Sequence, residues 1–238
     1  MNKTNNNQDK PFSTDDRMIE SPLENSDANG VIRAAEAPLP TDYGTFTAVV
    51  YHDLHDNKEH MLLKMGDVDS GAIVRVHSEC LTGDILGSQK CDCGSQLELA
   101  LKKIGEEGKG ALLYMRQEGR GIGLANKMKA YALQAQGVDT LDANLQLGLP
   151  ADGRDYGVAA EMLKQEGIDD IQLMTNNPLK IEGLKEHGIN VLDRVSHEIV
   201  AIGENDSYLK TKAERMGHIL TFNGAAVAVK DRDYELAV

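Results

Sequence analysis

Hydrophobic residues begin to recur at regular spacing only after a long polar stretch at the N-terminus. Residues 1–33 are rich in Asn, Asp and Ser and have no periodicity, which is typical of a disordered extension. Three short apolar runs follow at 45–51, 60–65 and 72–78, separated by polar turns. Such runs predict three antiparallel strands at the start of a folded domain that begins at residue 34.

The period then changes from that of a strand to that of a helix. Apolar residues recur at i, i+3, i+4 and i+7 before two glycines end the pattern: Leu97, Ala100, Leu101 and Ile104, then Gly108 and Gly110. This spacing predicts an amphipathic helix with one face in the core.

Strands and helices alternate through the rest of the chain. Pro178 and Gly188 are the residue types that the first turn and the end of a helix favour. Alternation after an antiparallel start predicts an α/β fold with a mixed sheet over residues 34–221, and 222–238 form a tail. The predicted strands are 110–115, 171–175 and 189–195, and the predicted helices are 124–136, 156–166, 178–188 and 207–220.

Composition and charge narrow the range of partners. The chain has 238 residues, 41% hydrophobic and 26% charged, as in ordinary globular proteins. It has no apolar run long enough for a bilayer and no apolar core of a secretory signal, so we expect a cytoplasmic protein without a membrane partner. The net charge of −13 argues against nucleic acid, whose binders need a basic surface. A small anion held by a few arginines is compatible with it.

The three cysteines of the chain all lie in one short loop, spaced C-x10-C-x-C. An isolated cysteine is most often a buried small hydrophobe, but Cys91 and Cys93 flank Asp92 in a polar turn. Clustered thiolates in a reducing compartment predict zinc, and three ligands favour a catalytic site whose open position holds an ionisable water. His77, three residues before Cys80, is the alternative fourth ligand, and it would make the site structural.

Further polar residues adjoin the cysteine loop in sequence or follow predicted strands. Arg75, His77 and Glu79 alternate along a strand and share one face, which is either a solvated surface or the wall of a site. A loop with three glycines, RQEGRGIG at 116–123, lets the backbone approach an anion, although it matches no known phosphate-binding spacing. Within it, Glu118 is an acceptor for an amino or amidine edge.

Two other loops carry cations in patterns that a simple turn also explains. Asp152 and Arg154 lie two residues apart before a helix, and Lys180 lies near the start of another. Together, the loops that carry arginine or lysine and one open metal site indicate a polyphosphate ligand whose far end meets an activated water.

The motifs also resemble a known family. RVHSECLTGD, CDCGSQLE, YMRQEGRGIGL, KAYALQ, QLGLPADGRDYG and TNNPLK, in this order, closely resemble GTP cyclohydrolase II over residues 34–220. The resemblance implies hydrolysis of GTP to formate, pyrophosphate and 2,5-diamino-6-(5-phosphoribosylamino)pyrimidin-4(3H)-one, the first step of riboflavin biosynthesis. It also implies a homodimer with one catalytic Zn²⁺ per subunit and Mg²⁺ with the GTP phosphates.

The resemblance assigns roles to individual residues. The cysteines Cys80, Cys91 and Cys93 would hold the zinc, Tyr131 would position the ring-opening water, and Asp152 would accept a proton. The implied GTP contacts are Arg75, Val76, His77, Ser78, Glu79, Gln96, Glu118, Gly119, Arg120, Thr140, Thr175 and Lys180. The family assigns Arg154 as a nucleophile, but a protonated guanidinium has no free lone pair, so we expect an electrostatic clamp on the phosphates.

Two expectations concern the scope of the activity. Many relatives carry a dihydroxybutanone-phosphate synthase domain upstream, and residues 1–33 are too short to form one, so we expect that activity to be absent. The main alternative to an active enzyme is a zinc-containing GTP-binding homologue without full turnover, which the presence of Tyr131, Asp152 and Arg154 disfavours. A structural zinc module for nucleic acid is disfavoured by the acidic charge.

Overall fold

A computed structural model describes residues 30–150, 152–199, 206–222 and 225–227. The main sheet contains β1 (Val31–Thr41), β2 (Gly44–Asp53), β3 (Lys58–Met65), β4 (Ala72–Ser78), β5 (Gly110–Met115), β6 (Asp170–Met174) and β7 (Asn190–Val195). The helices of the described residues are α1 (Cys93–Glu107), α2 (Leu124–Gln134), α3 (Thr140–Gln146), α4 (Gly157–Gln165), α5 (Pro178–Glu186) and α6 (Asp206–Met216). A two-stranded sheet of β8 (Leu220–Phe222) and β9 (Ala225–Val227) follows them.

The seven strands lie in the order β1-β2-β3-β5-β4-β6-β7. The pairs β1–β2, β2–β3 and β3–β5 are antiparallel, whereas β4 runs parallel to both β5 and β6, and β6 runs parallel to β7. The predicted mixed α/β sheet with an antiparallel start is therefore confirmed. The third strand predicted as antiparallel, 72–78, is β4 and runs parallel to its neighbours, because β5 pairs with β3 in its place. None of the described helices has the length and apolar composition that crossing a bilayer requires.

Both faces of the sheet are covered, because the side chains of each strand alternate between two cores. On β5, Leu112 packs with Ala100 and Ile104 of α1, whereas Leu113 faces the opposite core with Met162 of α4. The central strand β5 thus reads as an almost continuous apolar run, as expected for a strand that is buried on both sides.

The order of the parallel strands creates a crevice beside β4. After β4, the chain passes through α1 to β5, which lies on one side of β4. The strand on the other side of β4 is β6, and after β6 the chain continues to β7, further from β4. The loops that follow β4 and β6 therefore diverge at the same edge of the sheet. Ligands of open α/β sheets bind at such switch points, outside the carboxyl ends of the strands.

The first strand corrects the predicted start of the domain. The sequence places the polar extension at 1–33, but β1 begins at Val31, and the Val31 and Ile32 side chains are buried. The pattern hides this strand because most of its later residues are exposed and do not alternate. Residues 1–29, and 228–238 of the predicted tail, lie outside the described residues.

Two helices also differ from the prediction. Helix α3 was absent from the hydrophobic pattern, although Asp139 caps it by accepting hydrogen bonds from the backbone N–H groups of Leu141 and Asp142. The last helix, predicted at 207–220, ends at Met216, because Gly217 adopts a left-handed conformation with φ of 66°. The residues predicted to complete that helix instead lead into β8.

Glu166, at the end of α4, anchors the edge of the sheet. Its side chain is only 5% exposed, and it accepts hydrogen bonds from Arg33 Nε at 2.8 Å and Tyr51 Oη at 2.6 Å, with Lys64 as a third partner. Burial raises the pKa of Glu166, but the three donors outweigh it and lower that pKa to about 2. The ionised carboxylate therefore ties β1, β2 and β3 to α4.

Replacing Glu166 with Gln should lower the free energy of unfolding by about 1–3 kcal/mol at pH 7, since Arg33 and Lys64 lose a charged acceptor. The folded-state pKa is below the ordinary value, so this stabilisation is present above about pH 4.3 and is lost as the pH falls towards 2. The difference between variant and wild type should shrink over that window. Urea unfolding at pH 7 and pH 3 measures it, with Glu182→Gln on the exposed side of α5 as control. Equal stability of E166Q and wild type at pH 7 would contradict the anchor.

Candidate active site

The three cysteine sulfurs converge at the carboxyl end of β4. Cys80 follows the strand, a π-helical turn spans Leu81–Ile85, and Cys93 starts α1. Cys80 Sγ lies 3.7 Å from Cys91 Sγ, and all three sulfurs lie within 4.8 Å of one another. Two thiolates bound tetrahedrally to zinc at about 2.3 Å would be about 3.8 Å apart, whereas a disulfide is about 2.05 Å long. The spacing fits a metal and not a disulfide.

Asp84 holds the cysteine loop against the sheet. Its buried carboxylate accepts hydrogen bonds from the backbone N–H of Cys80 at 2.9 Å and from Tyr114 Oη at 2.8 Å. His77 Nε2 lies 3.1 Å from the same carboxylate, and the His77 ring stacks on Tyr114. Among the described residues, the cluster of ligand atoms contains the three sulfurs without His77. The alternative of a fourth histidine ligand therefore finds no support in the geometry.

Lys127, which the sequence did not single out, contacts the metal loop from α2. Its Nζ lies 3.0 Å from Cys80 Sγ and 2.8 Å from Glu118 Oε1. Glu118 also accepts hydrogen bonds from the backbone N–H groups of Leu81 at 2.7 Å and Gly119 at 2.9 Å. Both oxygens of Glu118 are therefore engaged within the chain, and the carboxylate braces the cysteine loop in addition to any contact with a ligand.

A cleft opens over the three sulfurs. The predicted residues that it brings together are Ser78, Glu79, Cys80, Cys91, Cys93, Glu118, Gly119, Arg120, Tyr131, Thr140 and Arg154. It is also lined by residues that were not predicted: Ile122, Lys127, Ala130, Gln134, Asn144, Lys212 and His218. Tyr131 lies between two ammonium groups, with Lys90 Nζ 5.1 Å and Lys127 Nζ 5.7 Å from its ring centroid.

A second space, the crevice between β4 and β6, adjoins the cleft. Arg154 and His218 line both spaces and lie at the junction between them. The crevice contains four more predicted residues: Arg75, Gln96, Thr175 and Lys180. Four that were not predicted also line it: Asn176, Asn177, His197 and Leu220.

The crevice is a buried cationic site in an acidic chain. Arg75 is 5% exposed and donates to Met174 O at 2.9 Å and Gln96 Oε1 at 2.7 Å, and Lys180 is 4% exposed and donates to Val76 O at 2.6 Å. Burial lowers the pKa of Arg75 to about 10, and burial together with the Arg75 and Arg154 charges lowers the pKa of Lys180 well below its ordinary value. Their hydrogen-bond acceptors are neutral, so an anionic ligand would stabilise the charged forms.

Two buried donors of the crevice lack a partner among the described residues: Arg75 Nε and Asn177 Nδ2. Asn177 uses its Oδ1 to cap α5 by accepting from the backbone N–H of Leu179 at 3.1 Å, which leaves Nδ2 for a ligand. His197 and His218 are neutral at pH 7, because burial, followed by the nearby cations, lowers the pKa of each to about 3. An anion thus meets the free donors of Arg75 and Asn177, and none of these four side chains carries a negative charge.

Asp152 and Arg154 form a close ion pair at the junction of cleft and crevice. Arg154 donates to Asp152 Oδ1 from Nε at 2.8 Å and from its backbone N–H at 3.1 Å, and Nη2 contacts Oδ2. Burial raises the pKa of Asp152, but Arg154 outweighs burial and lowers it. The carboxylate is therefore ionised.

Val76 differs from the other predicted GTP contacts on β4, because its side chain lies in the core and only its carbonyl faces Lys180.

Helix α6 closes one side of the cleft. Asp92, which lies between Cys91 and Cys93 in the sequence, accepts hydrogen bonds from two side chains. Lys212 Nζ donates to its Oδ1 at 2.7 Å, and Gln96 Nε2 donates to its Oδ2 at 2.6 Å. Arg215 pairs with Asp142 of α3. The sequence does not predict the contacts of Lys212 and Arg215, since each joins segments more than 70 residues apart.

A second group of potential ligands does not fit a metal. The ligand atoms of Asp53, Asp56 and His60 lie within 4.8 Å of one another. However, His60 Nδ1 accepts the backbone N–H of Arg116 at 3.0 Å, so the neutral ring carries its proton on Nε2. Burial lowers the pKa of His60, which favours this neutral form. The ring therefore supports the start of the glycine loop, and Nε2 has no lone pair for a cation.

The fold and the site together define an α/β protein in which a candidate three-sulfur metal centre adjoins a cationic crevice. Residues 32–196 match the family GTP cyclohydrolase II, and the chain belongs to this family. The resemblance noted in the sequence is thus confirmed.

Several relatives have the name riboflavin biosynthesis protein RibBA. That of Bacillus cereus strain ATCC 14579 is 56% identical over 192 residues, which cover 80% of this chain and 48% of the relative. The proteins of Bacillus mycoides and Bacillus cytotoxicus are 55% and 53% identical over the same length and coverage. The chain therefore spans about half the length of these relatives.

One solved structure is a more distant match. It is that of RibBX, a two-domain 3,4-dihydroxy-2-butanone 4-phosphate synthase from A. baumannii, with 20% identity and a TM-score of 0.41. The match covers 78% of this chain and 43% of that chain, and at this distance it carries no argument here.

Replacing Asn177 with Asp should weaken the binding of inorganic pyrophosphate by about 10- to 100-fold, because a donor to a charged group becomes a second anionic oxygen. The capping oxygen is retained, so the melting temperature should stay close to that of the wild type. Titration calorimetry with pyrophosphate measures the affinity. Asn57→Asp, in an exposed turn, adds the same charge away from the crevice and is the matched control. Equal weakening in both variants would mean that Asn177 does not contact the anion.

Proposed function

We propose that the chain hydrolyses GTP to formate, pyrophosphate and 2,5-diamino-6-(5-phosphoribosylamino)pyrimidin-4(3H)-one, the first step of riboflavin biosynthesis. The observation that supports this most directly is that the cleft over the three sulfurs adjoins the buried cationic crevice, with Arg154 and His218 lining both. A purine nucleoside polyphosphate has the two chemical ends that such a site distinguishes. Membership of the GTP cyclohydrolase II family favours GTP among such nucleotides.

Zinc is the metal that the donor set fits. Three sulfurs at tetrahedral spacing, with Lys127 Nζ and the Gly83 N–H directed at Cys80 Sγ, suit ionised thiolates. Hydrogen bonds with Cys91 and Cys93, and further with Lys127, lower the pKa of Cys80, which favours its thiolate form. When bound, zinc would supply the Lewis acidity and water activation on which the hydrolysis of a purine ring depends.

The chain's own residues orient the two ends of GTP. Arg75, Lys180 and the Asn177 amide would hold phosphate oxygens in the crevice, with Mg²⁺ as the counter-ion of the phosphates. The base would then lie in the cleft, whose wall beside the sulfurs includes Ser78 and Glu79. Helix α6 and the buried strand ends exclude water from the side opposite the opening, which strengthens each charge interaction.

Arg154 would act as a clamp on the phosphates. It lies at the junction of the two spaces and is aligned by Asp152, and its guanidinium stays protonated and cannot attack phosphorus. A cation fixed in advance at this position stabilises the charge that develops on the leaving pyrophosphate. Asp152 would serve first to orient Arg154, and a role as proton acceptor requires that their pairing loosen.

Other expectations from the sequence stay predictions. These are the homodimer, the cytoplasmic location, one zinc per subunit and the remaining individual GTP contacts. The alternative of a GTP-binding homologue without full turnover is distinguished from the enzyme by product release.

Incubation of zinc-replete protein with GTP and Mg²⁺ should release formate and pyrophosphate in equal amounts. Cys93→Ser removes one sulfur and should abolish formate release and reduce the zinc content, while GTP binding in the crevice persists. Formate dehydrogenase coupling, a pyrophosphate assay and elemental analysis give the three measurements. Binding of GTP without either product would favour the non-catalytic homologue, and unchanged formate release by C93S would contradict the metal assignment.

Arg154→Lys should retain part of the pyrophosphate release, because a cation remains, whereas Arg154→Ala should lose about 100- to 1,000-fold in rate, as when one preorganised donor is removed. Lysine cannot pair with Asp152 through two parallel hydrogen bonds, so its activity should lie between alanine and wild type. Single-turnover pyrophosphate release separates the variants. Equal loss in the lysine and alanine variants would contradict the clamp.

A further inference from the structure

Lys127 occupies an unusual position for a lysine. It lies in the first turns of α2 and is 8% exposed, whereas Lys129 on the same helix is exposed. Burying an ammonium group is costly unless it is paired, and Lys127 has two anionic partners, Glu118 Oε1 at 2.8 Å and Cys80 Sγ at 3.0 Å. A salt bridge to Glu118 alone would not require the ammonium to lie against a sulfur.

The partners of Lys127 fix it relative to the sulfur cluster. Glu118 is itself held by the backbone N–H groups of Leu81 and Gly119, which belong to the cysteine loop and the glycine loop. Cys80 is held from the other side, because its own N–H donates to Asp84. The contact between Nζ and Sγ is therefore set by two loops and a helix, and not by one flexible side chain.

The charge count explains why a cation is useful there. Three thiolates and one divalent ion carry a net charge of −1, and the Glu118 carboxylate adds a second negative charge, so the Lys127 ammonium offsets one of the two. A hydrogen bond to a thiolate also draws electron density from the sulfur, so that the sulfur donates less to the metal. The metal then remains a stronger Lewis acid than three unperturbed thiolates would allow.

We propose that Lys127 is a positioning residue of the metal centre, whose N–H···S hydrogen bond to Cys80 holds that ligand in place and tunes the metal. This rests on the proposed function only in so far as Cys80, Cys91 and Cys93 bind a divalent metal. It is independent of which nucleotide the site hydrolyses. Outer hydrogen bonds of this kind are typically worth about 10- to 100-fold in metal affinity.

The test uses Co²⁺ in place of zinc, because thiolate-to-cobalt charge transfer gives an absorption band whose energy reports the electron density on sulfur. Lys127→Met has a similar length without a donor, and its band should move to lower energy, with metal affinity about 10- to 100-fold weaker. Lys127→Arg restores a charged donor and should return the band towards the wild type. Lys129→Met is the matched control and should leave band and affinity unchanged.

The outcomes separate this inference from the metal assignment. If wild-type protein incubated with Co²⁺ shows no thiolate-to-cobalt charge-transfer band, the three-sulfur centre itself is refuted. A wild-type band that K127M leaves at the same energy would overturn the role of Lys127 while leaving the centre intact. If K127M loses the metal altogether, Lys127→Gln, which keeps a neutral donor, is used in its place. A band energy between that of the wild type and that of Co²⁺–thiolate complexes without a hydrogen bond to sulfur supports the hydrogen bond. An unshifted band in that variant would overturn it.

Discussion

The site depends on the parallel pairing of β4 with both β5 and β6. This pairing directs three strand ends to one edge of the sheet, so that the cysteine loop, the glycine loop and the TNNPLK segment meet there although they are far apart in sequence. Because the chain leaves β4 and β6 in opposite directions, the edge opens into a crevice and is not filled by a connection. The backbone thus positions both the sulfur cluster and the cation cluster before any side chain is considered.

Electrostatics in the crevice run against the character of the whole chain. The net charge is −13, yet Arg75 and Lys180 are buried with neutral carbonyl and amide acceptors. Burial without a counter-charge is unfavourable, and the sheet tolerates it because each cation still donates to the protein. An anion bound in the crevice would offset the free energy that burial costs. Net charge and local field therefore predict different partners, and the local field is the one that a small ligand meets.

The sequence predicted the elements better than their ends. Buried strands and amphipathic helices have strong periods, so the mixed sheet and most helices were confirmed. β1 was missed because its outer residues are exposed and do not alternate, and α3 was missed because a seven-residue helix is too short to show a period. At the site, the cysteines and the arginine loops were predicted from residue chemistry. Lys127, Asn177 and Lys212 were not, since a lysine or asparagine on a helix is ordinary until its neighbours in space are known.

By itself, the sequence determined which reactive groups are present, namely three clustered thiols and several cations in loops. Its hydrophobic periodicity also determined an α/β core. The sequence also determined the family through the spacing of its motifs. Only the tertiary structure decided which groups meet. It paired His77 with Asp84 and away from the sulfurs, engaged Glu118 with the cysteine loop, and brought Lys127 to Cys80. The physical reason is that hydrogen bonds and ion pairs act over a few ångströms, and residues distant in sequence come within that range only through the strand order and the packing of helices against the sheet.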